Sequence, residues 1–456
     1  MKHTLSLLLC CLFLNSWAQT SEEKTQIQAF FDQALTKSMA YEDLRVLCKD
    51  IGARLSGSKA LEQAVVWGDT TFQDLNPDTV YKQEVLVPHW ERGREQAHYY
   101  DKNGRTKLKV KTLGGSVGTG LSTLQGSVIQ FNSLTDLENA DPKTVEGKFV
   151  FLNQPFDETY INTFDAYGAC SVNRFMGAIK AAEKGAIAIY VRSLSNHDNK
   201  HAHTGSMAYK TGLDSIPAVA LSAKAANILA LDLANDPTLT AYLKLQTTHY
   251  QDARSHNVIA ELKGSQFPDQ YITIGAHLDS WDVGEGAHDD GAGVVQTIEV
   301  LRLFKTMTIQ PKHSIRFVLF TNEENGAKGA FRYAQLAELQ SENHILAIES
   351  DRGGFSPRGF QIDSKNTTLI EQIRSWKPFL EQFGLHDFSE GYAGVDINPL
   401  KSVNQNITLI GLKPDSQRYF SHHHADSDVF ESVNRRELEL GAASMAALLY
   451  LLDKNL

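Results

Sequence analysis

The stretch YITIGAHLDSWDVGEGAHDDGAGVVQTIEVLRLFKTM, residues 271–307, changes its pattern twice. It opens with YITIGAH, a short apolar run typical of a buried strand. The segment from Gly275 to Gly293 then gathers two histidines and five acidic residues among small side chains. From Val294 the apolar residues recur at helical spacing. Strand, polar loop and helix in this order predict one unit of a parallel α/β sheet.

The same alternation continues toward the C-terminus. SIRFVLF (314–320) is a second apolar run and precedes the helical pattern of 322–339, while HILAIESD (344–351) is a third. Residues 435–454 form an amphipathic helical pattern. The expected fold is therefore α/β, with a mostly parallel mixed sheet flanked by helices.

The chain before residue 250 has a different sequence pattern. Residues 22–75 have helical periodicity, and the strand pattern that follows is interrupted at Pro88. LGGSVGTG (113–120) is typical of a linker, and beyond it short strand-like runs surround one helix-like stretch, 173–186. We expect one larger domain built from segments 19–112 and 250–456, interrupted by a smaller β-rich unit at 113–249.

Bulk properties exclude some partners and predict export. The 456 residues carry a net charge of -10, which argues against nucleic acid as a main partner. Residues 1–18 have a basic start, an apolar run and small residues before Gln19, as a cleaved signal peptide does, so we expect a periplasmic or secreted protein. No later segment is apolar enough to span a membrane. The remaining cysteines, Cys48 and Cys170, are expected to be buried thiols.

Polar side chains fall where the predicted strands end, which is where ligands bind in open α/β sheets. The candidates are His277, Asp279, Glu323, Glu324 and Asp351 after strands, with Asp289 and His424 in loops. Imidazole and carboxylate groups gathered at one edge suit Zn²⁺. We expect four nearby polar residues to be structural or solvated: Asp282, Glu285, His288 and Asp426.

The residue types also fit a two-metal site. One Asp can bridge two metals with its two oxygens. The His and Asp of HLD point the same way if the chain stays extended, so one can bind metal while the other orients it. Of two adjacent glutamates, one can bind metal and the other can take a proton from a metal-bound water.

These motifs resemble the co-catalytic zinc peptidases. HLDS…GAHDDGAG, NEENG, ESD and HHHADSD carry the likeness, and ARLSGS, VPHWERG, HTGSM and ESDRGGFSPRGF bring it closer to the carboxypeptidase Q-like branch. The resemblance implies two Zn²⁺ per chain, one held by His277 and Asp351, the other by Glu324 and His424, with Asp289 as the bridge. The choice of His424 among three histidines depends on this match, in which the ligand is followed four residues later by Asp.

The resemblance implies further roles and an activity. Glu323 would be the general base, Asp279 would hydrogen-bond His277 from behind, and His423 would donate to the oxyanion. The implied protein is a secreted, homodimeric di-zinc peptidase with an inserted protease-associated domain, acting through a metal-bridging hydroxide on small peptides, most of all dipeptides with a free N-terminus. Ser421-His422 departs from the Asp-Tyr of many relatives, which affects substrate contacts.

Three alternatives stay open at this point. One is a broad metallo-aminopeptidase that acts on longer peptides. The second is a glutaminyl cyclase-like transferase, which uses one zinc. The third is a non-catalytic, receptor-like relative, which has no need of a complete ligand set. The partner of the substrate's amine also stays open, with Asp282 and Glu285 as candidates beside the inserted unit or a second subunit.

Overall fold

Two eight-stranded sheets form the framework of this computed structural model, which describes residues 21–196 and 198–456. The expected signal peptide, residues 1–18, lies outside the described residues. The strands in chain order are β1 (Thr79–Val87), β2 (Trp90–Asp101), β3 (Gly104–Leu108), β4 (Val110–Thr112), β5 (Leu124–Phe131), β6 (Phe149–Leu152), β7 (Ala188–Arg192), β8 (Ala218–Leu221), β9 (Thr240–His249), β10 (Ala253–Leu262), β11 (Phe267–His277), β12 (His313–Phe320), β13 (Asn343–Glu349), β14 (Pro357–Asp363), β15 (Asp387–Glu390) and β16 (Thr408–Pro414).

Helices cover both sheets. They are α1 (21–37), α2 (Ala40–Arg45), α3 (Lys59–Asp74), α4 (Leu134–Asn139), α5 (Pro142–Val145), α6 (Thr163–Glu183), α7 (Ala223–Asn235), α8 (Ala292–Thr306), α9 (Lys328–Leu339), α10 (Thr367–Ser375), α11 (Lys377–Leu380) and α12 (Arg435–Asn455). Shorter helical turns lie at Val46–Ile51, Ala287–Gly291, Glu381–Phe383, Asn398–Ser402, Tyr419–Ser421 and Phe430–Ser432. Within the described ranges, none of these helices has the length and apolar composition that a membrane crossing requires.

The first sheet has the strand order β1-β10-β12-β11-β13-β16-β14-β15. Its centre is parallel: β11 pairs with β12 and β13, and β13 pairs with β16. β14 and β15 are also parallel, whereas β10 is antiparallel to both of its neighbours and β14 to β16. The mixed and mostly parallel sheet that the alternating pattern predicts is confirmed.

The central strands are mostly apolar on both faces because helices cover both faces. Every residue of β12 is buried. Phe317 belongs to the core cluster that includes α8 and α12, whereas Val318, its neighbour in the chain, belongs to the cluster that includes α9. Successive side chains of a strand alternate between faces, so a strand covered twice reads as a continuous apolar run.

The second sheet has the strand order β3-β2-β9-β5-β6-β7-β8-β4 and is accompanied by α4 to α7. This unit contains more helix than the single helix-like stretch that we expect from the sequence. The missed helix α7 follows β8 directly, and the side chain of Ser222 caps it by accepting from the backbone N–H of Ala225. Its alanine- and leucine-rich sequence is a good helix former.

The second sheet begins earlier than the expected boundary at residue 113. The chain leaves the first sheet after Val87 and enters the second at Trp90, so the break at Pro88 marks the crossing. The glycine-rich segment is not a linker. A Cβ on Gly114 would lie 1.8 Å from the ring of Trp281, which is buried. Glycine therefore lets the two units make close contact at this point.

Cys48 and Cys170 are both buried and unpaired. Burial raises the pKa of the Cys48 thiol to about 12 and that of Cys170 to about 11. The expectation of buried thiols is confirmed, and at neutral pH both stay protonated and unreactive.

Candidate metal centre

Three adjacent parallel strands end at one edge of the first sheet and deliver acidic and histidine side chains there. His277 is the last residue of β11, and Asp351 lies two residues after the end of β13. Glu323 and Glu324 follow Phe320, the last residue of β12. Because the strands are parallel neighbours, their carboxyl ends meet at the same edge.

Two further groups reach this edge from loops. Asp289 lies in the turn Ala287–Gly291, directly before α8. His424 lies between β16 and α12 and has a left-handed backbone, with φ of 60°. In this conformation the rings of His423 and His424 stack with their centroids 3.6 Å apart.

Asp289 stands at the centre of the cluster. Its Oδ1 lies 3.3 Å from Nε2 of His277, and that nitrogen lies 3.5 Å from Oδ1 of Asp351. Its Oδ2 lies 3.2 Å from Nε2 of His424, which in turn lies 3.1 Å from Oε2 of Glu324. The two oxygens of one carboxylate therefore face two different groups of side chains.

These spacings fit metal coordination. Ligands bound at 2.0–2.1 Å in a tetrahedral zinc site lie about 3.3 Å from one another. Nε2 of His277 and Oδ2 of Asp289 are buried and have no hydrogen-bond partner in the protein. A buried polar atom without a partner is costly, so such atoms indicate a missing ligand. Two groups have ligand atoms within 4.8 Å of one another: His277, Asp289 and Asp351, and Asp289, His423 and His424.

The structure thus brings all five expected ligands together. It also places His423 at the second group, with its Nε2 3.6 Å from Oδ2 of Asp289. Glu324 is held differently, because its Oε1 accepts from the backbone N–H of Trp281 while Oε2 faces His424. This leaves one oxygen of Glu324 directed at the second group.

Glu323 lines the cavity beside the cluster. Burial and the neighbouring carboxylates of Asp351 and Glu324 raise its pKa well above the usual value. Cations bound among these carboxylates would lower the pKa of Glu323. A carboxylate whose proton affinity is tuned in this way is suited to accept and return a proton near neutral pH.

The two histidines at the centre are strongly basic without metal. Burial alone opposes a charged ring, but Asp351 and Asp289 raise the pKa of His277 well above its usual value. In the same way Glu324 and Asp289 raise the pKa of His424 to about 10. Protons and metal ions therefore compete for the same nitrogens, because a metal ligand must be a neutral imidazole.

Asp279 differs from its expected role. Nδ1 of His277 donates to the backbone carbonyl of Asp279 at 3.0 Å, whereas the nearest carboxylate oxygen is 3.8 Å away. The carboxylate instead accepts the backbone N–H groups of Glu323 and Glu324, at 3.0 and 3.3 Å. The chain turns after His277, so the carbonyl orients that ring while the side chain fixes the glutamate pair.

Two acidic residues without an expected role hold Asp289 in place. The carboxylate of Asp428 accepts from the backbone N–H groups of His288 and Asp289, at 2.7 and 3.1 Å. Asp290 accepts from the backbone N–H groups of His277 and Gly293, at 3.3 and 3.0 Å. In the sequence, Asp428 can be recognised by its position four residues after His424. This spacing does not reveal which backbone groups the side chain binds.

The four residues that we expect to be structural do have structural contacts. Their partners are Arg92 for Asp282, Lys49 for Glu285, Gly354 for His288 and His201 for Asp426. Neither Asp282 nor Glu285 lines the cavity. As candidates for binding the substrate's amine they are therefore wrong, since each is engaged by its own cation.

A cavity of about 360 Å³ opens onto the cluster, and both units line it. From the first sheet come the acidic groups Asp289, Glu323, Glu324, Glu349 and Asp351. From α6 of the second unit come Phe164, Tyr167 and Arg174. The second unit thus provides part of the wall that a substrate would contact.

Sequence comparisons place this arrangement among peptidases. The profile described as Peptidase family M28 matches residues 257–449. The chain is 32% identical to carboxypeptidase Q of Bos taurus over 416 residues, which cover 91% of this chain and 85% of the bovine protein. It is 33% identical to carboxypeptidase Q of Homo sapiens over 419 residues, with the same coverage.

Solved structures agree. The crystal structure of a peptidase M28 precursor from Shewanella amazonensis superposes with a TM-score of 0.90 at 31% identity, covering 96% of this chain and 98% of that one. A zinc aminopeptidase from Bacillus subtilis has a TM-score of 0.64 at 20% identity, covering 91% and 95%. The likeness to the Bacillus subtilis aminopeptidase shows a shared fold.

Proposed function

The chain belongs to peptidase family M28 and is a zinc metallopeptidase, and we propose that it hydrolyses small peptides, most of all dipeptides with a free N-terminus. One observation carries the proposal. The oxygens of Asp289 face two separate groups of ligands, and Glu323 lies beside them on the cavity wall.

We assign two zinc ions to this cluster. His277 and Asp351 would hold one ion, Glu324 and His424 the other, and Asp289 would bind both. The unpartnered Nε2 of His277 and Oδ2 of Asp289 support this assignment. Zinc bound there supplies Lewis-acid chemistry, since it lowers the pKa of a bound water and polarises a carbonyl.

The protein's own groups then do the proton transfers. Glu323 accepts a proton from the attacking water and delivers it to the leaving amine. Asp279 keeps Glu323 in position by accepting its backbone N–H. His423 lies next to His424 and lines the cavity, where it would donate a hydrogen bond to the oxyanion.

The size of the cavity supports small substrates. Its volume of about 360 Å³ is at the lower end of the range of roughly 300–1,000 Å³ for ligand pockets. Aromatic side chains of the second unit, Phe164 and Tyr167, bound it. A dipeptide suits a cavity of this volume, whereas a long peptide would extend beyond it.

Metal analysis and a dipeptide panel test the proposal together. We expect about two zinc ions per chain and hydrolysis of Ala-Ala that falls sharply when the N-terminus is acetylated. Retention of a single zinc with no hydrolysis of either dipeptide would contradict the proposal and favour one-zinc chemistry. Zinc-free protein without hydrolytic activity would favour a receptor-like role.

The length of the substrate separates this proposal from a broad aminopeptidase. We expect kcat/KM for Ala-Ala to exceed that for Ala-Ala-Ala-Ala, because a cavity of about 360 Å³ suits a short chain. A tetrapeptide cleaved as well as the dipeptide, one residue at a time from its N-terminus, would favour the aminopeptidase.

Three further assignments accompany this function. We assign export to residues 1–18, supported by their basic start, apolar run and small residues. We also assign a protease-associated role to the second unit and a homodimeric state to the protein, both supported by the sequence resemblance. N-terminal sequencing of the mature protein checks for cleavage before Gln19. Sedimentation equilibrium checks the oligomeric state, and a monomer would contradict it.

A further inference from the structure

We propose that Arg174 binds a carboxylate on the substrate residue that follows the scissile bond. The inference depends on the proposed peptidase function and deepens it by naming the group that selects the substrate. Arg174 belongs to α6, so the second unit would supply this specificity.

Arg174 is a buried cation without an acidic partner. Its residue is 8% exposed, and no carboxylate among the described residues forms an ion pair with it. A buried charge is costly unless it is paired, so a guanidinium in this state indicates an anion that the protein alone does not provide. The cavity that it lines is where such an anion would enter.

The guanidinium keeps donors in reserve. One terminal nitrogen donates to the hydroxyl of Tyr167 at 2.6 Å, and the other approaches the carbonyl of Thr204 at 3.4 Å. Nε is buried and has no partner. Since arginine carries five N–H donors arranged as a fork that matches a carboxylate, the unused ones suit a carboxylate ligand.

Its orientation is set before any ligand arrives. The guanidinium carbon lies 5.4 Å from the centre of the Tyr167 ring. A Cβ on Gly205 would lie 2.5 Å from that carbon, so the guanidinium packs directly against the glycine backbone. A donor fixed in this way loses little entropy on binding.

Arg174 lies beside His424, a proposed metal ligand, on the side of the ring that faces away from the proposed metal. A terminal nitrogen lies 3.4 Å from Nδ1 of His424, whose Nε2 faces Asp289 and Glu324. A carboxylate bound there would therefore be about one residue away from the bond that is cut. In a dipeptide the α-carboxylate lies on the residue after that bond.

The other cationic side chain on the cavity wall is already engaged. Arg352 donates to the side chain of Gln361 and to the carbonyl of Tyr392, at 2.7 and 2.8 Å. The opposite charge is concentrated on the first sheet, where Glu349 and Asp351 line the cavity. Arg174 is thus the better match for a negative end of the substrate.

Three substrates with a free N-terminus test the proposal on the zinc-loaded protein: Ala-Ala, Ala-Ala-amide and Ala-Glu-amide. We expect wild type to favour Ala-Ala over Ala-Ala-amide in kcat/KM by about 10- to 100-fold, the size of a charge-assisted hydrogen bond. In R174M this preference should fall close to one while zinc content stays unchanged. Ala-Glu-amide tests whether Arg174 binds the α-carboxylate or a side-chain carboxylate. If it binds the side-chain carboxylate, wild type should have a higher kcat/KM for Ala-Glu-amide than for Ala-Ala-amide.

The outcomes are separable. K180M removes another cation from α6, one that is ion-paired with Glu138, and should keep the wild-type preference. Wild type that cleaves Ala-Ala and its amide equally well overturns the proposal without any variant. If R174M loses kcat/KM equally on all three substrates and also loses zinc, the proposal is overturned. That result would show that Arg174 acts through His424. No hydrolysis by zinc-loaded wild type would instead refute the peptidase function itself.

Discussion

Asp289 is held through its backbone, which leaves both carboxylate oxygens for cations. Asp428 accepts the N–H of Asp289 and that of the residue before it. Oδ2 of Asp289 consequently has no hydrogen-bond partner in the protein. Leaving a buried oxygen unpartnered costs free energy that metal binding recovers. The geometry that the proposed bridge requires is thus present without metal.

At the scale of single residues, Glu323→Gln separates proton transfer from metal binding. Glutamine keeps the shape but cannot accept the proton, so we expect kcat to fall by about 10²- to 10⁴-fold. Zinc content should stay at the wild-type value, because Glu323 is not among the five proposed ligands. E338Q, on an exposed residue of α9, is the matched control and should match wild type in both. Near-normal turnover by E323Q would remove Glu323 from this role.

The members of the cluster were predictable from sequence, but their hydrogen-bond partners were not. His277, Glu324 and Asp351 follow recognisable strands, and parallel strands end at a common edge. The role of Asp279 depends on how the chain turns after β11, which the spacing of HLD does not reveal. Its carboxylate binds backbone groups 44 and 45 residues away.

At the scale of elements, one arginine ties three neighbouring segments of the first sheet. Arg316 in β12 donates to Glu261 in β10 at 2.9 Å and to Glu342, just before β13, at 2.7 and 2.8 Å. Its guanidinium also lies 4.0 Å from the centre of the Tyr271 ring. Although burial opposes ionisation, hydrogen bonds from His344 and Arg316 lower the pKa of Glu342 to about 2.

This network predicts a pH-dependent effect of Glu342→Gln. A folded-state pKa below the ordinary value stabilises the fold above about pH 4.5, and the stabilisation is lost as pH falls toward 2. Allowing for partial exposure, we expect E342Q to lower the free energy of unfolding by about 2 kcal/mol at pH 7. Denaturant unfolding of metal-free protein at pH 7 and pH 3 measures this. A deficit that is equal at both values would contradict the assignment, and E371Q, on an exposed glutamate, should show none.

Elements were easier to predict in the second half of the chain than in the first. β11, β12 and β13 contain short apolar runs, and their length together with their β-branched and aromatic residues favours strands. The boundary at residue 113 was wrong because LGGSVGTG has the composition of a linker. Its glycine at position 114 instead makes room for Trp281, a contact between segments far apart in sequence.

At the scale of the whole molecule, the two units meet around the cavity. Arg92 of β2 forms a bidentate ion pair with Asp282, at 2.7 and 2.9 Å, and its side chain is 5% exposed. Thr204 of the second unit donates its backbone N–H to the carbonyl of His424 and accepts from the ring of that residue. The second unit therefore contacts a metal-ligand loop as well as the cavity.

Gly114→Ala tests this contact. The added Cβ would collide with the ring of Trp281, which lies in the loop between His277 and Asp289. We expect a loss of about 1–3 kcal/mol of stability, the usual cost of overpacking, together with lower kcat/KM. Thermal unfolding and dipeptide hydrolysis measure the two effects. G168A is the matched control, since nothing lies within 4 Å of a Cβ there; wild-type behaviour of G114A would contradict the close contact.

The most direct test of the shared carboxylate is anomalous diffraction from zinc-loaded crystals, recorded on both sides of the zinc absorption edge. We expect two peaks about 3.5–4 Å apart, each bound to a different oxygen of Asp289. One peak should also contact His277 and Asp351, and the other Glu324 and His424. A single peak, or two peaks of which neither touches Asp289, would contradict a two-zinc site bridged by Asp289.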